Sequence, residues 1–293
     1  LVLADGANNI TATNVETVTG GTGDDVVTLG TAVTGGSFSL GAGNDTLVLA
    51  DGSNSLTLDS TIETVTGGTG NETITFSAAV SGISLDLGTG SDTVVLAAAG
   101  SSLTVTNVET VTGGIGADNV TLGDVVTAGT YNLGAGVDSL TLADGNNVLT
   151  VNNTIETITG GTGDDAVTFT AAIAGAAMDL AAGSDSVVLA NGTNNLTLSN
   201  VESVTGGTGA DTVTLATALS GGTVTLGAGI DKLVLANGAN NLTVSGVETI
   251  TGDSGADTVT LGSVATAAVV NLGDGTDTLV LANGNNSLTA TGV

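Results

Sequence analysis

The sequence predicts an all-β fold, a right-handed parallel β-roll or β-solenoid with about two strands per coil, and three observations predict it. The chain repeats itself about every 46 residues, its apolar residues alternate with Thr and Ser over short stretches, and Gly, Asn and Asp fill the gaps between them. Composition agrees. The 293 residues include 47 Gly, no Pro, Cys, Trp or His, and 1% aromatics, so the core must come from the Val, Leu, Ile and Ala that dominate a 41% apolar content. That content is too high for a disordered chain, and Val and Thr favour strands.

The repeat is nearly complete. A block reading V/I-E-T/S-V/I-T-G recurs with glutamates at Glu16, Glu63, Glu109, Glu156, Glu202 and Glu248, spaced by 47, 46, 47, 46 and 46 residues. A second block, G-x-G-x-D-x-L/V-V/T-L, keeps the same phase with aspartates at Asp45, Asp92, Asp138, Asp185, Asp231 and Asp277, Ala181 replacing the first Gly in the copy at Asp185. Residues 1–293 therefore read as a single array of six tandem repeats plus a partial one. Leu1 is in phase with Leu47 and Val293 with Val15, so the array is expected to be an excerpt of a longer one.

Each repeat holds five short strands. In the first, the residues expected to face inward are Val18, Val27, Phe38, Leu47 and Leu56, with Val65 opening the next. Neighbouring residues alternate in polarity, as in Ser55-Leu56-Thr57-Leu58, which buries one face and leaves the other in water. Steps of 9 to 11 residues leave no room for a helical crossover. They suit coils of two strands, roughly 18 residues each, stacked in parallel.

Charge narrows the functional classes. Against 29 acids stands one base, Lys232, giving a formal net charge of −28. Such a chain repels nucleic acid and anionic membranes. No apolar run of the ~18 residues needed to span a bilayer is present, and no stretch reads as a signal peptide. Catalysis has little to work with, since His and Cys are absent and the carboxylates recur in the same pattern in every repeat. The expectation is a non-enzyme.

The turns carry a resemblance. Gly20-Gly21-Thr22-Gly23-Asp24-Asp25-Val26-Val27-Thr28 fits the nonapeptide G-G-x-G-x-D-x-U-x, with close copies from Gly67, Gly113, Gly160, Gly206 and Gly252. The chain thus resembles the RTX (hemolysin-type) calcium-binding repeat proteins along its whole length, although two of the five half-turns in each repeat match well. The resemblance implies Ca2+ held by aspartate side chains and backbone carbonyls in stacked turns. It also implies type I secretion, with folding outside the calcium-poor cytosol. Calcium takes 6–8 oxygen ligands in irregular geometry, which these residue types supply.

Numbering each half-turn by the sixth position of that motif places the expected ligands. Alternate half-turns share one edge of a two-sided coil, so Asp25, Asp45 and Glu63 are expected to stack in consecutive coils. The trio Glu72, Asp92 and Glu109 falls on the opposite edge, because five half-turns per repeat is an odd number. Asp118, Asp138 and Glu156 follow, then Asp165, Asp185 and Glu202, then Asp211, Asp231 and Glu248, and finally Asp257 with Asp277. The competing reading is that Asp and Asn cap turn amides without metal. Stacked carboxylates repel without a cation, and one Lys cannot offset them.

The expected function is a calcium-stabilised extracellular structural rod of a bacterial surface protein, such as an adhesin stalk, an S-layer component or a matrix filament. Calcium ions are the expected partners, together with like chains joined head to tail or side by side. Two alternatives stand beside it. Thr-x-Thr faces raise an ice-binding module, interrupted by Val26, Val48, Val95 and Asp86. A secretion-enhancing module of a larger exported protein is the other.

Overall fold

The computed structural model describes residues 1–293. The chain is an all-β parallel β-solenoid of 31 strands in two sheets, without a helix. No helix is long and apolar enough to cross a membrane. Backbone contacts divide it into two compact units, Leu1–Ala143 and Asp144–Val293.

The first repeat of the first unit shows the plan. Its strands are β2 (Thr17–Thr19), β3 (Val26–Leu29), β4 (Thr34–Ser39), β5 (Thr46–Val48) and β6 (Ser55–Leu58), preceded by β1 (Asn9–Ala12), with β7 (Thr64–Thr69) opening the next. Strands β1, β3, β5 and β7 pair in parallel in one sheet, and β2, β4 and β6 in the other. Five strands per repeat is thus the observed number, and successive repeats exchange the sheets used by equivalent strands. The second unit follows the same plan. Asn195–Ser199, Thr212–Leu215, Lys232–Val234 and Thr249–Thr251 pair in order in one sheet, and Ser203–Thr205, Ser220–Thr225, Asn241–Ser245 and Thr258–Leu261 in the other.

Parallel pairing in register stacks like on like. Val27, Leu47, Val65 and Leu85 form one inward column and are fully buried. Val18, Phe38, Leu56 and the other inward residues expected from the alternation are buried too. Each such side chain contributes roughly 1.5–3 kcal/mol by leaving water. The one tyrosine, Tyr131, takes the place of Phe38 in its repeat. It is buried, and its hydroxyl donates to the Val108 carbonyl at 3.0 Å, which satisfies its polar end.

The longest half-turn of the repeat is absorbed as a bulge. Register shifts between Thr34 and Gly36 in β4, and likewise in strands Ala174–Asp179, Ser220–Thr225 and Thr266–Asn271. The residue at the shift has positive φ: Gly35 at 79°, Gly175 at 90°, Gly221 at 92° and Ala267 at 56°. Outward columns therefore slide sideways at each bulge. In the first unit one column runs Thr17, Ser37, Thr57, Thr75, Val95, Thr112, Asn132.

Glycine is required in the turns for two different reasons. A Cβ on Gly20 would lie 2.0 Å from the Leu40 carbonyl oxygen of the next coil, whereas a Cβ on Gly35 meets nothing within 4 Å. Gly35→Ala should therefore cost about 1 kcal/mol of backbone strain, and Gly20→Ala more than about 3 kcal/mol, because backbone must move. Denaturant unfolding of both variants checks this. Equal, mild losses would mean that the turns do not stack this closely.

Candidate cation-binding turns

Each expected ligand sits directly before a strand, at the edge of a sheet. Asp25, Asp45 and Glu63 precede β3, β5 and β7, so they stack in consecutive coils of one sheet. Glu72, Asp92 and Glu109 precede Thr73–Phe76, Thr93–Val95 and Thr110–Thr112 in the other sheet. Asp118 and Asp138 precede consecutive strands of the first unit, Asn119–Leu122 and Ser139–Thr141. In the second unit Asp165, Asp185 and Glu202 stack along one sheet, and Asp211, Asp231 and Glu248 along the other. Asp257 and Asp277 precede the paired strands Thr258–Leu261 and Thr278–Val280, and Glu156 precedes Thr157–Thr159.

The aspartates of these columns, with Glu72, are almost wholly buried, except that Asp277 is half-buried. The terminal glutamates Glu63, Glu109, Glu156, Glu202 and Glu248 are half-buried. One carboxylate oxygen of each buried aspartate accepts the backbone N–H of the sixth-position residue one coil earlier. Asp25 donates its N–H to Asp45 Oδ1 at 2.7 Å, and Asp45 donates to Glu63 Oε2 at 2.8 Å. The same chain of bonds links Glu72, Asp92 and Glu109 at 2.6 and 2.8 Å. It links Asp165, Asp185 and Glu202 at 2.7 and 2.9 Å, and Asp211, Asp231 and Glu248 at 2.8 and 2.9 Å. Asp118 donates to Asp138 Oδ1 at 2.7 Å, and Asp257 to Asp277 Oδ1 at 2.8 Å.

The column has one more member than the acidic trio. Asn8 donates its backbone N–H and its side-chain amide to Asp25 Oδ1, both at 2.8 Å. Asn194 and Asn240 do the same to Asp211 and Asp257, and the Asn54 amide reaches Glu72 Oε1 at 3.3 Å. Sequence reading treats these asparagines only as residues that fill and cap turns. The overlooked signal is their spacing to the acids: Asn8 to Asp25 and Asn194 to Asp211 are each one coil. Other acids do cap turns. Asp51 accepts the Thr69 N–H and hydroxyl, Asp144 those of Thr162, and Asp24 the Asn44 N–H.

One oxygen of each buried carboxylate caps an amide. The other, Oδ2 of Asp25, Asp45, Asp92, Asp165, Asp185, Asp211 and Asp231 and Oε2 of Glu72, is buried without a hydrogen-bond partner. An unsatisfied buried polar group costs about 1–3 kcal/mol, more when charged. Burial, together with the neighbouring carboxylates of Glu72 and Glu109, pushes Asp92 up to about 6. Burial, followed by the Asp165 and Glu202 charges, does the same to Asp185, also to about 6. Asp45 and Asp231 are raised for the same reasons. Buried carboxylates in Gly-rich turns offer only oxygen donors, the type a hard cation such as Ca2+ takes, and no three acidic side chains converge in one cation-sized group, so the expected trios stack in line without closing around a single point. The only basic side chain, Lys232, is exposed.

Two outcomes are expected of the metal-free chain. Because the folded-state pKa of Asp92 and Asp185, about 6, lies above the unfolded value of about 3.9, the native state binds more protons between these limits. Their contribution to stability is complete below about pH 4 and is lost as pH rises through about 6. Thermal midpoints in chelator should fall accordingly, and an Asp92→Asn, Asp185→Asn double variant should flatten that fall. Each substitution alone should stabilise the chelated chain at pH 7.5 by about 1–3 kcal/mol; destabilisation would show that the charged oxygens have partners after all.

Comparison with protein-family models, curated proteins and solved structures finds no match.

Proposed function

We propose that this chain is a calcium-stabilised, non-enzymatic structural segment of an extracellular bacterial surface protein. The observation that carries the reading is the set of buried, partnerless carboxylate oxygens stacked in adjacent coils. Their burial is unfavourable for an isolated protein of net charge −28 and becomes favourable when a divalent cation is bound. The motif resemblance to RTX repeats supports calcium as that cation and export as the route.

The residues divide the work. Asp25 with Asp45, Glu72 with Asp92, Asp118 with Asp138, Asp165 with Asp185, Asp211 with Asp231, and Asp257 with Asp277 would hold the ions. Calcium supplies positive charge that offsets repulsion between coils. The glycines let turn backbones stack closely, and Glu63, Glu109, Glu202 and Glu248 close their columns by accepting the last aspartate N–H. Because the sites exist only when coils are stacked, binding energy becomes folding energy. Such a chain stays unfolded where calcium is scarce and folds where it is plentiful. Ice binding has less support, since the outward columns include Val48, Val95 and Asp86 and slide at every bulge.

Far-UV circular dichroism during a calcium titration tests the proposal, with equilibrium dialysis to count bound ions. The expected result is a weakly structured chelated chain that becomes β-rich as each acidic column takes up calcium. A chain equally β-rich and equally stable in calcium and in chelator would overturn it.

A further inference from the structure

The sixth position is filled by Asn in some turns and by Asp in others, and the surrounding bonds are the same up to one atom. Asn194 Oδ1 accepts the Ile173 N–H at 3.1 Å, and Asp211 Oδ1 accepts the Asn194 N–H at 3.0 Å. The residue two positions earlier has positive φ in both turns: Gly192 at 114° and Gly209 at 127°. The same holds for Gly52 and Gly70 before Asn54 and Glu72, and for Gly238 and Gly255 before Asn240 and Asp257. The difference is the second terminal atom. In Asn194 it is an amide nitrogen, lying 2.9 Å from the Ala190 carbonyl oxygen, 3.0 Å from that of Gly192 and 2.8 Å from Asp211 Oδ1. Asn240 places its nitrogen 2.8, 3.0 and 2.9 Å from the Ala236 and Gly238 carbonyls and Asp257 Oδ1. In Asp211 the second atom is an oxygen, buried and without a donor.

The turn therefore offers a pocket of three oxygens: two carbonyls of its own and one carboxylate oxygen of the next coil. An amide N–H₂ fills that pocket with positive hydrogens. A carboxylate oxygen in its place adds a fourth negative atom. Resting on the calcium reading above, we propose that Asn8, Asn54, Asn194 and Asn240 are boundary residues. Their amides do inside the protein what a bound cation does one coil later, and so fix where the calcium clusters that follow them begin.

The third column supports this by exception. Ser101 stands where the other columns have Asn, and its hydroxyl reaches only 3.5 Å from the Ala99 carbonyl and the Val80 N–H. There the next carboxylate, Asp118, turns its Oδ2 to the Gly114 N–H at 3.3 Å instead. Where the amide is missing, the neighbouring turn is rearranged.

The test counts calcium ions bound to the folded chain by equilibrium dialysis and native mass spectrometry. Asn194→Asp should bind one ion more than the parent, because its carboxylate completes a pocket with the Ala190 and Gly192 carbonyls and Asp211. Asp211→Asn should bind one ion fewer and melt at a higher temperature in chelator. An unchanged count in a folded Asn194→Asp variant overturns the boundary role while leaving the calcium reading intact. If Asn194→Asp does not fold, Asp211→Asn decides: loss of one ion with a raised chelated midpoint sustains the role, and an unchanged count overturns it. A parent chain that binds no calcium overturns both.

Discussion

Parallel stacking in register, one coil upon the next, is the constraint on which everything else here depends. It places each residue against its equivalent about 4.8 Å away. For apolar side chains the repetition is favourable: Val27, Leu47, Val65 and Leu85 bury one another with almost no aromatic residues needed. For carboxylates it is unfavourable, since the same rule sets Asp25 against Asp45 and Asp45 against Glu63. Exposed acids such as Asp24 and Asp51 keep their charge in water, whereas the buried ones stand in line.

The hydrogen-bond ladder resolves half of that problem. One oxygen of each acid takes a backbone N–H that the turn would otherwise leave unpaired, so the column is directional, beginning at Asn and ending at Glu. Glutamate ends it well because its longer side chain reaches the aspartate N–H while remaining half-buried. The second oxygens carry the other half, and they are where protons, amides or cations act. One geometric cause thus underlies the raised aspartate pKa values, the proposed calcium sites and the placement of asparagine.

The bulge matters as much as the ladder. The shift at Gly35 lets Asn54 Oδ1 take its N–H from Val33 rather than from the sixth-position residue Gly36. Each column therefore restarts after the bulge rather than running on. Local acidity is confined to short clusters, and the outward Thr and Ser rows are broken in the same place.

Sequence by itself determined the fold class, the five strands per repeat, the inward residues and the alternation of acidic trios between edges. These follow from period and parity, which survive in one dimension: a strand alternates every two residues, and an odd number of half-turns must change sides. It also named the acidic ligand candidates, since Asp25 and its equivalents recur in one phase. What it missed was the asparagine heading all but one of the columns and the different tasks of the two carboxylate oxygens. Spacing shows that Asn194 and Asp211 lie one coil apart, but not that an amide nitrogen and a carboxylate oxygen would meet the same pocket. That was decided by the tertiary structure, because the pocket is formed by carbonyls of one turn and the side chain of the next. Neither exists until the coils are stacked.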